Sequence, residues 1–344
     1  MQKIENFEDI KELKKRIQAE NNGNSTTPCI TMCGGGGCAS LGGTAISDRF
    51  IKELEEKGLK DKIRFKTTGC YGICANGPIV TITPKHTFYQ EVNEDDAPAI
   101  IEETVLNNRV IDKLLFKDPA TGKKIESDNE IPFFAKQKRL VFRNCGKIDP
   151  ANINEYILDD GYQALEKAIK NMSPEEVVKA IIDSGLRGRG GGGYPAGLKW
   201  DCARKTNSDV RYVICNGGAF KDKSILEADP HSIIEGMAIA GYAIGACQGY
   251  IYVRSEDTIT IQHLKKAIAD AETLGLLGEN ILNKGINFKI DIKESAGAFV
   301  CGEETALISF IEDLRGIPNQ KTPYPAVVGL HNKPNIINNF ETLE

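Results

Sequence analysis

The chain contains no apolar run near the roughly 20 residues that a membrane-spanning helix needs. Its opening residues, MQKIENFEDI, lack the apolar stretch of a secretory signal, so the chain reads as cytoplasmic with no direct membrane insertion. A basic surplus is missing as well. Lys and Arg number 43 against 48 Asp and Glu, and the net charge of −5 removes the electrostatic reason to expect nucleic acid. No internal repeat and no low-complexity tract occurs. What is present is an ordinary folded composition, 41% hydrophobic and 26% charged, spread over 344 residues, too many for one ordinary core. Two domains are therefore expected. The ten cysteines, without a secretory signal, point to a reducing compartment, where clustered thiols serve as metal ligands or catalytic groups more often than as disulfides.

Periodicity divides the chain. Phe7, Ile10, Leu13 and Ile17 recur at helical spacing. CITMC then reads as a strand entering a flexible GGGG, and Ile46, Phe50 and Leu54 mark a second helix. KIRFKTTG, PIVTITP and HTFYQEV read as strands, and residues 95–115 as mostly helical. These elements make a first domain of residues 1–116. Residues 117–137 combine two prolines with charges of both signs and no apolar period, which reads as a linker. Residues 138–344 form the second domain. There Ser173, Pro174 and Glu176 make a helix-start signal with a capping box. RYVICN, GYIYVRS and NFKIDIKE read as strands that alternate with helical stretches at 231–246, 259–274 and 303–314, the pattern of an α/β sheet covered on its faces.

Cys33 and Cys38 in CGGGGC and Cys70 and Cys74 in CYGIC supply four thiols as two pairs on loops after strands. Such a set can close a tetrahedral zinc site or hold the two irons of a 2Fe-2S cluster. Four glycines between the first pair favour the cluster, because they leave amides free to wrap inorganic sulfides, yet zinc and unliganded thiols stay open on spacing alone. Cys29 reads as a core thiol, and Cys145, Cys202, Cys215, Cys247 and Cys301 as small buried hydrophobes.

The segment GLRGRGGGGYPAGLKW, residues 185–200, is the second concentration of chemistry. Gly188, Gly190 and Gly193 fit G-x-G-x-x-G, but a helix precedes them where a dinucleotide fingerprint needs a strand. A Walker A reading puts Leu198 where its lysine belongs. What remains is a loop whose amides can approach an anion, with Arg187, Arg189 and Lys199 for charge and a following helix N-terminus for phosphate.

Two resemblances bear on these segments. Cys-x4-Cys followed by Cys-x3-Cys, with GICANGP around the last thiol, resembles the thioredoxin-like 2Fe-2S ferredoxin fused to flavin subunits of soluble NAD-linked hydrogenases and formate dehydrogenases. It implies Cys33, Cys38, Cys70 and Cys74 as ligands. The glycine loop, with ILEADPHSIIEGM, AGAFVCGEETALISFIEDLRG and PYPAVVGLHNKPNIINNFETL, is similar to the NADH-binding FMN flavoprotein subunit of respiratory complex I and its soluble relatives, such as the β subunit of electron-bifurcating iron hydrogenases.

The second resemblance implies that Gly188, Arg189, Gly190, Gly193 and Tyr194 form a loop over FMN that admits NADH above it, and that Lys199 lies near the flavin phosphate or ring. Asn216, Phe299, Gly302 and Glu303 would contact FMN, Glu304, Lys321 and Tyr324 would line the dinucleotide, and Asn338, Asn339 and Thr342 would close the flavin pocket. Read without the resemblance, Glu303 and Glu304 are ordinary acids at a helix start. The implied fold is α/β, a thioredoxin-like ferredoxin domain followed by an FMN- and NAD-binding domain. The implied activity is hydride exchange between NAD(H) and FMN with single electrons passed to clusters, the flavin rather than a side chain carrying the hydride. The implied partners are a small thioredoxin-like 2Fe-2S subunit and a hydrogenase or formate dehydrogenase catalytic subunit.

The sequence departs from the family in places. An acidic insert of the type Asp-Glu-Gly-Asp-Pro is missing between Gly217 and Gly218, Asp257 and Thr258 replace the usual tyrosine and proline, and Cys202 stands where an aromatic often assists the adenine. The ubiquitin-like and 4Fe-4S domains expected after NNFETLE are absent from the sequence. The missing acids raise an alternative expectation, a non-flavin scaffold or electron relay that keeps only its 2Fe-2S cluster.

Overall fold

The computed structural model describes residues 3–4, 7–22, 27–218 and 220–344, without the side chains of residues 7, 20–22 and 220–221. Phe7 of the expected helical stripe thus lies outside the described side chains, whereas Ile10, Leu13 and Ile17 are buried. Two compact units emerge, residues 16–150 and residues 1–15 with 151–344. Among the described residues no helix is long and apolar enough to cross a membrane.

Helix α1 (Phe7–Asn22) leads to β1 (Cys29–Cys33), α2 (Gly36–Ser40), α3 (Gly43–Glu56), β2 (Arg64–Thr68), β3 (Val80–Thr83), β4 (Thr87–Tyr89) and α4 (Asp96–Ala99), which runs on as a π-helical stretch, Ile100–Leu106. The sheet order is β2-β1-β3-β4, with β1 parallel to β2 and antiparallel to β3. Alternation in CITMC sorts the faces. Ile30 and Met32 join Val80, Ile82, Phe50, Leu54 and Ile100 in the main core, while Cys29, Thr31 and Cys33 point the other way.

Three expectations need correction here. The glycine run is not a flexible loop throughout, because it turns into α2, which carries Cys38. Regular helix ends at Leu106, and only a short 3-10 turn, Asp112–Leu114, follows before residue 115. The expected linker is structured: β5 (Phe116–Lys117) and β6 (Lys124–Ile125) form a hairpin bridged to β4 through Tyr89–Leu115 and Thr87–Ser127, and α5 (Pro132–Ala135) follows. Phe116 and Ile131 pack with Cys33, Cys38, Tyr71, Ile79 and Phe88 in a second small core, and Phe134 lies against it. Prolines and mixed charge hide these few apolar anchors from any periodicity test.

The other unit continues with α6 (Ile153–Leu158), α7 (Gln163–Asn171), α8 (Pro174–Asp183), α9 (Ala196–Lys205), β7 (Tyr212–Asn216), α10 (Phe220–Ala228), α11 (Pro230–Ile244), β8 (Gln248–Arg254), α12 (Thr258–Leu274), β9 (Gly278–Ile281), β10 (Ile286–Ser295), α13 (Glu304–Ile311), β11 (Asn335–Asn339) and α14 (Phe340–Leu343). The capping box at α8 is present: Ser173 Oγ accepts from the Glu176 N–H at 3.3 Å and the Glu176 carboxylate accepts from the Ser173 N–H at 2.7 Å. The sheet runs β11-β7-β8-β10-β9, parallel except for β9. Leu307, Ile308 and Ile311 of α13 pack on Ile214, Tyr252 and Ile337 from one face. The side of Gly249 receives Met237 of α11, whose Cε lies 2.9 Å from where a Cβ would stand.

Buried Glu235 on α11 accepts hydrogen bonds from Tyr156 Oη at 2.6 Å, Tyr162 N at 2.7 Å and Leu165 N at 2.9 Å, which ties α6 and α7 to α11. His231 sits beside Tyr162 Oη at 2.9 Å, and burial pushes its imidazole down to about 3. Because β7 leads into β8 through α11 while β10 leads back to β11 through α13, successive crossovers move in opposite directions. The carboxyl ends of β7 and β11 then lie side by side, where ligands of open α/β sheets are found. Of the five remote cysteines, Cys145, Cys215 and Cys301 are buried as expected, but Cys202 and Cys247 are exposed.

Candidate functional site

Two sites follow from this geometry, one in each unit. In the first, Cys33 ends β1, Cys38 lies in α2, Cys70 lies in the turn after β2 and Cys74 opens a short 3-10 turn, Cys74–Asn76, so only Cys70 lies on a loop as expected. Cys33, Cys38 and Cys70 are buried and Cys74 is exposed. The sulfurs run in sequence, Cys38 beside Cys33, Cys33 beside Cys70, and Cys70 3.7 Å from Cys74. Among the described residues no three His, Cys, Asp or Glu side chains gather as ligands of one ion. The donor set, four thiols arriving as two pairs, is one that the two irons of a [2Fe-2S] cluster would take.

The protonation of the quartet fits the same use. The hydrogen bond to Cys38, burial and the Cys38 charge push the Cys33 thiol up to about 12, while that bond, given to Cys38, holds Cys38 below the ordinary thiol range. The bond to Cys33 and burial push Cys70 up. Four thiols this close cannot all ionise without a cation among them, which is the demand a metal cluster meets. Backbone amides already point at sulfur: Gly72 N–H donates to Cys70 Sγ at 3.2 Å, and the amides of Tyr71 and Ile79 donate to Cys33 and Cys38. Glycine is required here by space. A Cβ at Gly35 would stand 2.7 Å from the Cys70 Cβ, one at Gly37 3.0 Å from Cys74 Sγ, and one at Gly77 2.9 Å from Cys38 Sγ.

In the second unit the glycine loop joins α8 to α9 and is pinched at its base. Gly188 N–H donates to Tyr194 O at 2.9 Å, Ala196 N–H to Leu186 O at 2.9 Å, and the Arg187 guanidinium to Gly193 O at 3.1 Å. At its tip Gly191 and Gly193 take φ of +109° and +61°, and a Cβ at either, or at Gly192, would meet nothing within 4 Å. Only Gly190 is held close, because its Cβ would stand 2.6 Å from Asn339 Oδ1. The tip thus offers free backbone next to the N-terminus of α9.

Most of the expected residues meet beneath this loop. Arg189 N–H donates to Thr342 Oγ1 at 3.1 Å, Asn339 Nδ2 to Asn216 O at 3.4 Å, and Asn216 Nδ2 to Gly302 O at 3.4 Å, so α14, β11, β7 and the turn before α13 share one floor. Lys199 Nζ reaches Ile337 O at 2.8 Å. Burial lowers the affinity of Lys199 for its proton, the Glu304 charge opposes that, and Lys321 adds to it. Lys321 bridges Glu303 at 3.0 Å and Glu304 at 3.5 Å, and the Glu303 bond raises it above the ordinary lysine range.

Glu303 is also the N-cap of α13, accepting from Thr305 N at 2.9 Å and Ala306 N at 3.1 Å. Burial alone would raise its carboxyl, but Thr305, Lys321 and Ala306 outweigh it and hold it low. The plain helix-start reading of Glu303 is realised. Three expected residues stand apart: Phe299 is wholly exposed, and Tyr194 and Tyr324 are 57% and 63% exposed. Asn338 turns from the floor to accept from Trp200 Nε1 at 3.1 Å. Trp200, the only tryptophan in the chain, is a residue to which sequence reasoning gives no role. Strand β11 escapes it too, because three asparagines in PNIINN disguise the strand.

Comparison with known proteins gives one family match in each unit. Residues 18–105 match the thioredoxin-like [2Fe-2S] ferredoxin family and residues 181–344 the Nuo51 FMN-binding domain. The NADP-reducing hydrogenase subunit HndC of Solidesulfovibrio fructosivorans is 52% identical over 211 residues, 60% of this chain and 43% of the relative. An NADH-quinone oxidoreductase subunit of Aquifex aeolicus is 50% identical over 209 residues, 59% of this chain and 49% of the relative. The chain therefore spans about half the length of these relatives. A solved NAD+-reducing [NiFe]-hydrogenase in the H2-reduced state aligns over 98% of this chain and 57% of its own, with 22% identity and a TM-score of 0.49. The sulfur quartet lies inside the first match and the glycine loop and asparagine floor inside the second, so residues 18–105 are similar to the thioredoxin-like [2Fe-2S] ferredoxins and residues 181–344 to the Nuo51 FMN-binding domains.

Proposed function

We propose that the chain exchanges hydride between NAD(H) and FMN and passes single electrons to iron–sulfur clusters within a soluble, cytoplasmic multi-subunit complex, such as an NAD-linked, bifurcating hydrogenase or a formate dehydrogenase. A small thioredoxin-like 2Fe-2S subunit and a hydrogenase or formate dehydrogenase catalytic subunit are its proposed partners. The observation that carries the reading is the floor made by Asn216, Gly302, Asn339 and Thr342 under a glycine loop with an open tip. Bound FMN supplies a centre that takes two electrons together and releases them singly, which a [2Fe-2S] cluster requires.

The chain's own residues bind, orient and exclude water. The free amides at the tip of the loop and the N-terminus of α9 suit a phosphate, with Lys199 placed to lend charge beside phosphate or ring. Arg189 and Gly190, fixed by Thr342 and Asn339, set the height of the loop over the floor. The exposed faces of Tyr194, Phe299 and Tyr324 are available to a dinucleotide, and Lys321 holds Glu303 and Glu304 at its edge. Asn338 supports the pocket through Trp200. Cys33, Cys38, Cys70 and Cys74 hold the cluster, and the amides of Tyr71, Gly72 and Ile79 favour its charge. No side chain is assigned as acid or base.

One observation favours a second reading, a relay or scaffold with only its cluster: β7 and α10 are joined by residues 217–219 alone, with no carboxylate among them. Anaerobic isolation, FMN assay and NADH addition separate the two. Bound FMN whose absorbance bleaches with NADH supports hydride exchange, and an iron–sulfur spectrum without flavin supports the relay.

A further inference from the structure

Of the four thiols in the quartet, only that of Cys74 reaches the surface. The segments that carry the quartet are free of charge. Residues 27–47 and 67–84 contain no Asp, Glu, Lys, Arg or His, in a chain that is 26% charged. Two large apolar side chains flank the quartet at the surface. Leu41, directly after α2, is 56% exposed, and its Cδ1 lies 3.6 Å from where a Cβ at Gly77 would stand, a position 2.9 Å from Cys38 Sγ. Phe133 on α5 is 42% exposed, and its ring edge lies 3.9 Å from where a Cβ at Gly72 would stand. Gly72 is itself the residue whose N–H donates to Cys70 Sγ. Leu41 therefore borders the Cys38 side of the quartet and Phe133 the Cys70 side, with exposed Gly37, Gly72 and Ala75 near Cys74. Charge returns at the flanks: the N–H of Glu91 donates to Asn76 O at 3.0 Å, and Arg139 donates to Tyr71 O at 3.2 Å.

A single exposed leucine or phenylalanine is ordinary, but one on each side of a surface thiol in a charge-free setting is not. An apolar centre with charge at its rim is the anatomy of a protein contact. The same chemistry selects the occupant. A partner that set a charge against this centre would strip the charge of water and meet no counter-charge. An acidic or basic carrier is thereby disfavoured. We propose that Leu41, Cys74 and Phe133 mark a docking face for a one-electron redox protein whose own contact surface is apolar and uncharged around its centre. One electron crosses between the thiolate-bound irons and that centre, one side being oxidised as the other is reduced, and no bond or proton is transferred. The inference rests on the cluster reading of the quartet. It lies wholly within residues 16–150 and does not depend on the FMN reading.

The complex isolated anaerobically through a tag on the full chain tests it, compared with the same chain produced without partners. Iron and sulfide assays on both samples report the cluster reading separately, so its failure is distinguishable from failure of the docking face. Backbone amides of residues 38–44, 72–76 and 130–135 are expected to exchange hydrogen more slowly in the complex than in the chain alone. Leu41→Lys is expected to weaken partner association about tenfold or more with iron content unchanged, because it buries a charge in the apolar centre. Leu106→Lys, at an apolar residue 51% exposed on a segment without a cluster ligand, is expected to stay within about twofold. Raising ionic strength from roughly 0.05 to 0.5 M is expected to change the wild-type affinity by no more than about twofold, since no charge pair is there to be screened. Unprotected peptides, a chain isolated alone or as a dimer of itself through this face, equal losses from the two lysine variants, or a steep weakening by salt overturns the proposal. Should Leu41→Lys fail to fold, Phe133→Lys is measured against the same outcomes.

Discussion

The two cradles of this protein use the same residue for opposite reasons. Around the sulfur quartet, Gly35, Gly37 and Gly77 are needed because no Cβ fits: cysteine atoms already stand 2.7–3.0 Å from where one would lie. At the tip of the other loop, Gly191 and Gly193 are needed because their backbone is left-handed, and nothing of the protein stands within 4 Å. The first is packed against itself and closes on a group held by covalent bonds to sulfur. The second is open and presents backbone to something that arrives from outside. Glycine density alone does not distinguish them, whereas the atoms around each glycine do.

Substitutions that strike one cradle and spare the other test this contrast. The largest effect is expected from Cys70→Ser, which should abolish the cluster in iron and sulfide assays and leave bound flavin unchanged. Joint loss of both cofactors would mean that the two cradles do not form independently. Next is acid. His231 is buried neutral, its folded value of about 3 lying below the unfolded value near 6.5, so its contribution is intact above pH 6.5 and is lost as pH falls through that value toward 3. Thermal melts followed by flavin release should show a loss of up to about 1.4 kcal/mol per pH unit below 6.5, and His231→Gln should flatten the slope.

A smaller effect is expected from Gly35→Ala, where overpacking against Cys70 should cost roughly 1–3 kcal/mol in chemical denaturation and lower iron retention. Lys199→Ala should then lower FMN occupancy more than iron occupancy, both read on the same sample; equal losses would indicate general misfolding. The smallest belongs to Gly192→Ala. With open space around it and no left-handed φ, stability should stay within about 0.5 kcal/mol, while flavin affinity reports whether a ligand fills that space.

Much of the architecture is legible in the sequence because apolar period survives in long elements. The stripe Ile46, Phe50 and Leu54 marks α3, and the Ser173–Glu176 box marks the start of α8, since caps and stripes are local signals. What escapes is non-local. Strand β11 carries asparagines because its end forms the floor rather than the core, so the residues that serve the site erase the signal of the strand. Residues 117–137 look like a linker because their anchors, Ile131 and Phe134, are too few to show a period, yet these two pack in and against the second small core of the ferredoxin unit.

The site is legible where chemistry clusters in sequence, as with the thiols and glycines. It is less so where a side chain serves another: Glu303 caps α13, and Asn338 is drawn to Trp200.

The central claim is that one chain holds a thiolate-bound two-iron cluster and a flavin mononucleotide in separate cradles. Quantifying iron, acid-labile sulfide and FMN per chain after anaerobic isolation tests it most directly. About two irons, two sulfides and one FMN are expected. A colourless, iron-free and flavin-free polypeptide would contradict it.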